Sequence, residues 1–500
     1  MRGLFRLAAA GVALSAALAG CAGGAGRAAG PKDADGGAGV AVRPMAVDDA
    51  TPNTIRVDLG HSLGTFPFHP GHELSATPNS WKYGAKTNAD LDALHLGAAR
   101  VWLEFDQAYD VKTHKPDYAK WYDYLDAYAS RSKKLVLNWR SDYDPLVTKG
   151  TFTRSQLFTA ERDMLAAYKR HNPTIGYLEA ENEPDVSTYY PTYRFIYQVV
   201  NAVNAMDLPG PKIKVGGPVT DVFTTNRIGK FLDDYAADTD KNKKLDFISY
   251  HEYLINISGT GAWDKEKTDP AQVAGQRAKV DTMLADHHLP KVPVLVTETG
   301  VFPGSRKTPL GIDADYHIQA AGLASLHYWY LAHPGITPFH WTVHHPDNDR
   351  KSMFADTDTG AARPYYNMMR MQAMLPDTRY AATSDRLSAK GIGVYGLAAA
   401  DAGHVAVMSW NYQWMGQASY DSKVVLSGFT GKFLTSNVLV TRYRIAPGSG
   451  TGDLKPVEKF VIGPREDKGG GYTGQTLPLE PSGLRMTVLT PTDLPVGPVS

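Results

Sequence analysis

The chain has 500 residues, too long for one ordinary domain, and 43% of them are hydrophobic against 21% charged, the balance of a globular protein with a sizeable core. Lysine plus arginine equals aspartate plus glutamate at 52 each, so the net charge is zero and there is no electrostatic footprint for nucleic acid or an anionic membrane surface. The one cysteine excludes an internal disulfide and a cysteine-based metal site, and neither a metal centre nor a cofactor is expected.

In chain order, the first segment reads as an address. Arg2 and Arg6 form a basic start, and residues 7–18 are an apolar run too short for a comfortable membrane span, the pattern of a secretory signal. The run ends in Leu18-Ala19-Gly20-Cys21, similar to the bacterial lipoprotein box, in which the cysteine becomes the lipidated first residue after cleavage. The expected product is a lipoprotein of the cell envelope. It would be tethered outside the cytoplasm, on the outer membrane or the outer face of the cell membrane, by lipid chains on Cys21. Residues 22–50, rich in Gly, Ala, Asp and Pro, read as a flexible tether.

From 51 to 378, short apolar runs alternate with amphipathic stretches. The predicted strands are 55–60, 98–103, 134–139, 176–181, 212–217, 246–251, 292–298 and 336–342. Between them, Trp121, Tyr124, Leu125 and Tyr128 recur at helical spacing, as do Ile228, Phe231, Leu232 and Tyr235, and these are core-facing helix stripes. Eight strands alternating with helices fit an α/β fold of the (β/α)8 TIM barrel type. A doubly wound sheet would favour a glycine-rich nucleotide loop after the first strand, and Leu59-Gly60-His61-Ser62-Leu63-Gly64 lacks the G-x-G-x-x-G spacing. After Pro376, period-two alternation takes over, so residues 379–500 are predicted to form a small antiparallel β-sandwich. Its Trp410, Tyr412 and Trp414 are read first as packing against the barrel and second as carbohydrate contacts.

The strand 176–181 runs into Asn182-Glu183-Pro184, and the strand 292–298 ends in Thr297-Glu298. Barrel active sites form where the strands end, and a carboxylate at the tip of an apolar strand is costly to bury unless it is paired or used. On this count Glu183 and Glu298 end strands four and seven, which face one another across the mouth. Two carboxylates across a cleft are the apparatus of glycoside hydrolysis. Period-two alternation also puts Glu179, Glu181 and Glu183 on one face, where three like charges cannot stay ionised and unpaired at low cost. Glu179 is therefore expected to be paired inside the barrel, with Arg100 a candidate partner. Glu181 is expected to be relieved by strand curvature at the tip or by a cation.

Seven motifs in order carry a family resemblance: Ala99-Arg100-Val101-Trp102, Asn182-Glu183-Pro184, Lys214-Val215-Gly216-Gly217-Pro218, His251-Glu252-Tyr253, Val296-Thr297-Glu298, Trp341, and the stretch 353–366. Together they resemble clan A glycoside hydrolases, most closely glycoside hydrolase family 39, whose members include β-xylosidases, α-L-iduronidase and bacterial exopolysaccharide hydrolases. The resemblance spans roughly 55–490. It implies a retaining double displacement with Glu298 as nucleophile and Glu183 as acid/base, whose ionisation must be pushed apart so that Glu183 begins protonated. It also implies that Arg100 and the Tyr253 hydroxyl support the nucleophile, that Asn182 bonds the sugar 2-hydroxyl, that His251 joins the site, and that Trp341 forms an aromatic floor. Asn138 and Trp139 are further candidate sugar contacts. Two departures stand out: Glu181 replaces the family's tryptophan, and Arg442-Tyr443-Arg444-Ile445-Ala446 lacks the aspartate that ends the corresponding strand.

The expected function is cleavage of an extracytoplasmic polysaccharide, endo-acting because an anchored enzyme meets a surface polymer. The alternatives are an exo-acting β-xylosidase-like glycosidase and a non-catalytic carbohydrate-binding lipoprotein. His251-Glu252 opens no H-E-x-x-H zinc motif, and Asp238-x-Asp240-x-Asn242 lacks the glycine and glutamate of a calcium loop. His344, His345 and Asp347 after strand eight, and His61, His69, His72 and Glu73 after strand one, are candidates for the cleft rim.

Overall fold

Eight parallel strands close into a barrel in the computed structural model of the chain, which describes residues 51–77, 81–141, 143–255, 268–304, 306–346, 349–448, 450–465 and 470–499. The signal, Cys21 and the tether lie outside the described residues, as does Asp347. The long strand β1 (Thr51–Thr65) precedes the barrel, whose members are β2 (Glu73–Ser75), β3 (Ala98–Glu104), β4 (Leu135–Arg140), β5 (Ile175–Ala180), β6 (Lys214–Thr220), β7 (Phe247–Tyr253), β8 (Val294–Gly300) and β9 (Ile336–Trp341). The order β8-β9-β2-β3-β4-β5-β6-β7 closes on itself, and β2 is completed by Leu74↔His340 on one side and Glu73↔Ala98 on the other. Covered by side chains within and helices without, these strands are almost wholly buried; every residue of β7 and of β8 is.

A helix follows each barrel strand: α1 (Ala85–Asp92), α2 (Tyr122–Ala129), α3 (Arg154–His171), α4 (Tyr190–Asn204), α5 (Thr225–Ala237), α6 (Gln276–Asp286), α7 (Ile312–Tyr330) and α8 (Pro364–Ala373). The predicted stripes are the buried faces, for example Ile228, Phe231, Leu232 and Tyr235 on α5. α3 begins with a capping box, in which the Thr153 hydroxyl accepts from Gln156 N–H and the Gln156 amide oxygen accepts from Thr153 N–H.

The predicted first barrel strand, 55–60, is a correction. It belongs to β1, which pairs antiparallel with β10 (Thr378–Ser384) and parallel with β13 (Tyr420–Ser427), so residues 51–65 leave the barrel span assigned above and enter the second sheet. The physical reason lies in its alternation: Ile55 and Val57 are buried while Arg56 between them is exposed. That pattern suits a sheet with one wet face, not a strand buried on both sides.

The second sheet runs β13-β1-β10-β11-β12-β16-β14-β15, with β11 (Gly393–Ala400), β12 (Val405–Tyr412), β14 (Asn437–Ile445), β15 (Pro456–Ile462) and β16 (Leu484–Thr492). It curls so that its halves enclose a core of its own, with Ile55, Val57, Val405, Val407, Leu426, Val440 and Leu489 inside. Apart from the parallel β1–β13 pair, these strands are antiparallel, as predicted for a sandwich. Trp410 and Tyr412 are wholly buried. Trp410 stacks on Tyr395 at 4.8 Å and donates from Nε1 to the Ser325 hydroxyl of α7, while Trp414 packs beside Phe302. They join sheet to barrel.

Candidate active site

At the C-terminal end of the barrel, β5 stops at Ala180 and the chain turns sharply. Glu181 and Glu183 both take left-handed backbone conformations, φ 66° and 49°, which are strained for residues with a side chain. Two bonds hold the turn: Glu181 N–H to Trp139 O at 2.9 Å, and Glu183 N–H to Val219 O at 3.0 Å. The turn separates the three glutamates that simple alternation puts on one face. Glu179 points into the barrel, Glu181 turns to the Ser141 N–H (2.8 Å), and Glu183 faces the mouth with its side chain 27% exposed. Curvature at the tip is what relieves Glu181.

Arg100, wholly buried on β3, organises what lies beneath. Its Nε donates to Glu179 Oε2 at 2.6 Å, Nη1 to Glu298 Oε1 at 3.0 Å and to the Ser75 hydroxyl at 3.2 Å, and Nη2 to Asn182 Oδ1 at 2.8 Å. Glu179 accepts two more bonds, from Asn138 Nδ2 and the Thr297 hydroxyl, so the expected pairing is present and fully hydrogen-bonded. Although burial works against its charge, Glu179 and Glu298 raise the guanidinium further above its ordinary range.

Glu298, at the end of β8, is 4% exposed and accepts a second bond at Oε2 from the Tyr253 hydroxyl at 2.7 Å. Burial, with the two carboxylates nearby, raises Tyr253 far above the ordinary tyrosine value, so the phenol stays a donor. His251 sits between the two glutamates. Its Nδ1 is hydrogen-bonded to Glu183 Oε1 at 2.9 Å and lies 3.6 Å from Glu298 Oε2. One oxygen of Glu183, one of Glu298 and this ring lie within 4.8 Å of one another. Burial alone would raise the Glu183 carboxyl, but its bond to His251, with Lys351 and Arg100 nearby, brings it below the ordinary glutamate value. That direction runs against the expectation of a carboxyl pushed up, because the bond to His251, together with the nearby positive charges, outweighs burial.

Aromatic walls complete the mouth. Trp341, at the tip of β9, stacks on Trp102 of β3 at 5.6 Å and 18°, and both cluster with Tyr253. Trp102 lies two residues beyond Arg100 on the same strand face, a parity that marks it as a wall residue. Glu104 and Arg140 form an ion pair of 2.8 Å at the rim.

Compared with solved structures, the chain is similar to a glucosidase from Croceicoccus marinus, with TM-score 0.65 and 14% identity over 89% of this chain and 100% of that one. It is also similar to a monomeric β-xylosidase from Caulobacter crescentus, with TM-score 0.62 and 14% identity over 88% and 99%. A bacterial orthologue of human α-L-iduronidase gives TM-score 0.64 and 15% identity over 89% and 85%. The fold is the one these glycoside hydrolases share. No family model and no curated protein matches the chain.

The structure brings Arg100, Asn182, Glu183, His251, Tyr253, Glu298 and Trp341 together. Asn138 is wholly buried, its amide nitrogen spent on Glu179 and on the Glu181 carbonyl, so it braces the turn. Trp139 alternates to the outer face of β4 and donates to Glu161 of α3 at 2.9 Å, away from the mouth. His61 is an exposed residue of β1, bonded to Asp58 at 2.6 Å. His69 stacks on His72 at 3.6 Å, and with Glu73, opposite the first residue of β3, they lie toward the N-terminal end of the barrel strands. Of the rim histidines, His345 packs by its edge against Trp341. One mouth residue escapes the sequence altogether: Lys351, on a single turn (Asp349–Lys351) after β9, with no periodic pattern to mark it.

Proposed function

We propose that this protein is a retaining glycoside hydrolase, held to a membrane by lipid on Cys21, that cuts within a polysaccharide chain outside the cytoplasm. The observation that carries the reading is the carboxylate pair. An oxygen of Glu183 and an oxygen of Glu298 within 4.8 Å of each other suit a retaining pair, about 5–5.5 Å apart, better than an inverting pair at about 6.5–9.5 Å with room for a water between.

In the first half-reaction Glu298 Oε2 forms a bond to the anomeric carbon while the bond from that carbon to the leaving oxygen breaks. The proton of Glu183 passes to the leaving oxygen. In the second half-reaction a water oxygen bonds to the anomeric carbon, the ester to Glu298 breaks, and the water proton returns to Glu183. Arg100 and Tyr253 hold Glu298 as an oriented carboxylate, and His251, bonded to ionised Glu183, favours the base role. Arg100 fixes Asn182 through its oxygen, leaving the amide nitrogen for the sugar 2-hydroxyl. Trp341 and Trp102 provide stacking faces for the sugar ring.

Proton NMR of the first sugar released from a 4-nitrophenyl glycoside tests the stereochemical course: the anomer formed first keeps the substrate's configuration, and an inverted first anomer defeats the proposal. A ladder of oligosaccharides from a polymer supports endo action. Release of monosaccharide alone supports the exo-acting β-xylosidase-like alternative, which the likeness to the Caulobacter crescentus enzyme favours. For the anchor, the expected result is full-length protein in the membrane fraction and Cys21→Ser protein free of it; equal partition of the two removes the lipid from the proposal. Among the described residues no helix is long and apolar enough to cross a membrane.

A further inference from the structure

Lys351 is 6% exposed and within electrostatic reach of the two carboxylates, yet no step above uses it. Its ammonium donates to the Pro303 carbonyl at 2.5 Å and lies 4.6 Å above the Tyr253 ring, whose hydroxyl bonds Glu298. The adjacent Arg350 already ties this turn to the loop after β8: its guanidinium donates to the carbonyls of Gly304 and Arg306, approaches Asp315 at 3.6 Å and covers the Phe302 ring. Loop pinning therefore does not require a second buried cation one residue on, and a buried charge is costly unless other charges balance it.

The balance follows from the bonds. Glu179 accepts from Arg100, Asn138 and Thr297, and Glu298 accepts from Arg100 and Tyr253, so both are carboxylates. Against these two negative charges stand two buried positive ones, Arg100 and Lys351. At the rim, Glu104 pairs with Arg140, and Glu181 turns away to the Ser141 N–H. With Glu183 protonated, as the first half-reaction requires, Glu179 and Glu298 are matched one for one by Arg100 and Lys351. In the glycosyl-enzyme, Glu298 has become an uncharged ester and Glu183 has lost its proton, so Glu179 and Glu183 are the two carboxylates that Arg100 and Lys351 face. Without Lys351, Arg100 alone faces two carboxylates in each state.

We propose that Lys351 is a positioning residue that supplies, with Arg100, the second buried positive charge facing the carboxylates in both half-reactions of the double displacement, acting through space on Glu183 and Glu298 and through the Tyr253 ring on the nucleophile. The inference rests on the retaining reading above. The groups that face Lys351 are Glu298 on β8, Glu183 on the turn after β5, Tyr253 on β7 beneath it, and Arg350 on its own turn; Arg100 and His251 act on the same carboxylates. Burial draws the Lys351 ammonium down to about 8, with Glu298 and Glu183 holding it up and Arg350 opposing them, so the charge is present across the neutral and acid range in which the two glutamates must differ.

The test separates charge from loop pinning. Lys351→Gln keeps a donor for the Pro303 carbonyl and loses the charge, Lys351→Met loses both while filling similar volume, and Lys351→Arg keeps the charge. In kcat/KM against pH, measured with 4-nitrophenyl β-D-xyloside and β-D-glucoside, both limbs of the bell move to higher pH by about half a unit to one unit in the Gln and Met variants, because removing a cation raises both carboxyls. The Arg variant keeps the wild-type limbs. Unmoved limbs in the Gln and Met variants overturn the proposal and leave Lys351 a loop pin. A readout free of turnover keeps the two ideas apart: in carboxyl-labelled protein followed by carbon-13 NMR, the Glu183 carboxyl titrates at higher pH in Lys351→Gln than in wild type. If wild type cleaves no glycoside, the hydrolase reading falls while this titration still decides what Lys351 does.

Discussion

Glu298→Gly loses turnover of aryl glycosides by roughly 10⁴-fold or more, and added azide restores it with formation of the glycosyl azide of inverted configuration. The loss is large because Glu298 is the group that would form the covalent bond, and its two oxygens are already held by Arg100 at 3.0 Å and Tyr253 at 2.7 Å in the free protein. Truncation to glycine opens space beside the anomeric carbon without disturbing the Arg100–Glu179 pair underneath. Azide enters that space and attacks from the same side, and because it forms a stable product the reaction stops after one inversion. Glu183→Gln is the companion: it loses about 10²- to 10⁴-fold on substrates whose leaving group needs a proton and less on activated aryl glycosides. Undiminished turnover in Glu298→Gln, measured on the same substrates, removes Glu298 from the nucleophile's role.

Arg100→Met destabilises the protein by about 3–5 kcal/mol, read as a lower urea midpoint at pH 7. The substitution strips three donors from four acceptors and leaves Glu179, wholly buried, without a counter-charge. Arg100→Lys recovers little, because one ammonium cannot span Glu179, Glu298, Ser75 and Asn182 in the geometry a planar fork provides. The pH dependence has a definite sign. In the Met variant Glu179 is a buried carboxyl without its cation, so its folded-state pKa rises above the unfolded value. Such a group contributes stability below the unfolded pKa and loses it as pH rises through the folded pKa, so the gap between variant and wild type narrows as pH falls. A gap that stays constant between pH 7 and pH 5 means that lost packing, not stranded charge, is the cause.

Seven of the eight barrel strands are legible in the sequence because a strand covered on both faces must be an apolar run, as Leu135-Val136-Leu137 and Val294-Leu295-Val296 are. The eighth is not: β2 is Glu73-Leu74-Ser75, three residues with one large apolar side chain, and its place is set by the partners His340 and Ala98. The more apolar alternation at Ile55 and Val57 draws attention to a strand of the other sheet. In the site, the residues at strand tips are legible because a charge at the end of an apolar run demands a reason. Trp139 misleads because it adjoins Asn138, although alternation along β4 sends neighbouring side chains to opposite faces. The role of Glu181 depends on a left-handed turn that no composition marks, since glycine or asparagine would be the usual signal and glutamate occupies it. Lys351 reaches the mouth only through closure of the barrel.

The pairing of β1 sets the order in which the molecule is completed. Ile55 aligns with Ser384 on one side and with Val424 on the other, so the earliest described strand gains its neighbours only after the whole barrel and the first strands of the last sheet have been made. Through that interval its apolar Ile55 and Val57 and its unpaired backbone edges are an open template for another chain, the hazard that long-range pairing imposes during folding. A fragment cut after residue 378 keeps that template and never closes it, whereas one that begins after Thr65 does not carry it. The accessory sheet is therefore a clasp fastened from segments on both sides of the barrel in sequence, β1 before it and β10–β16 after it.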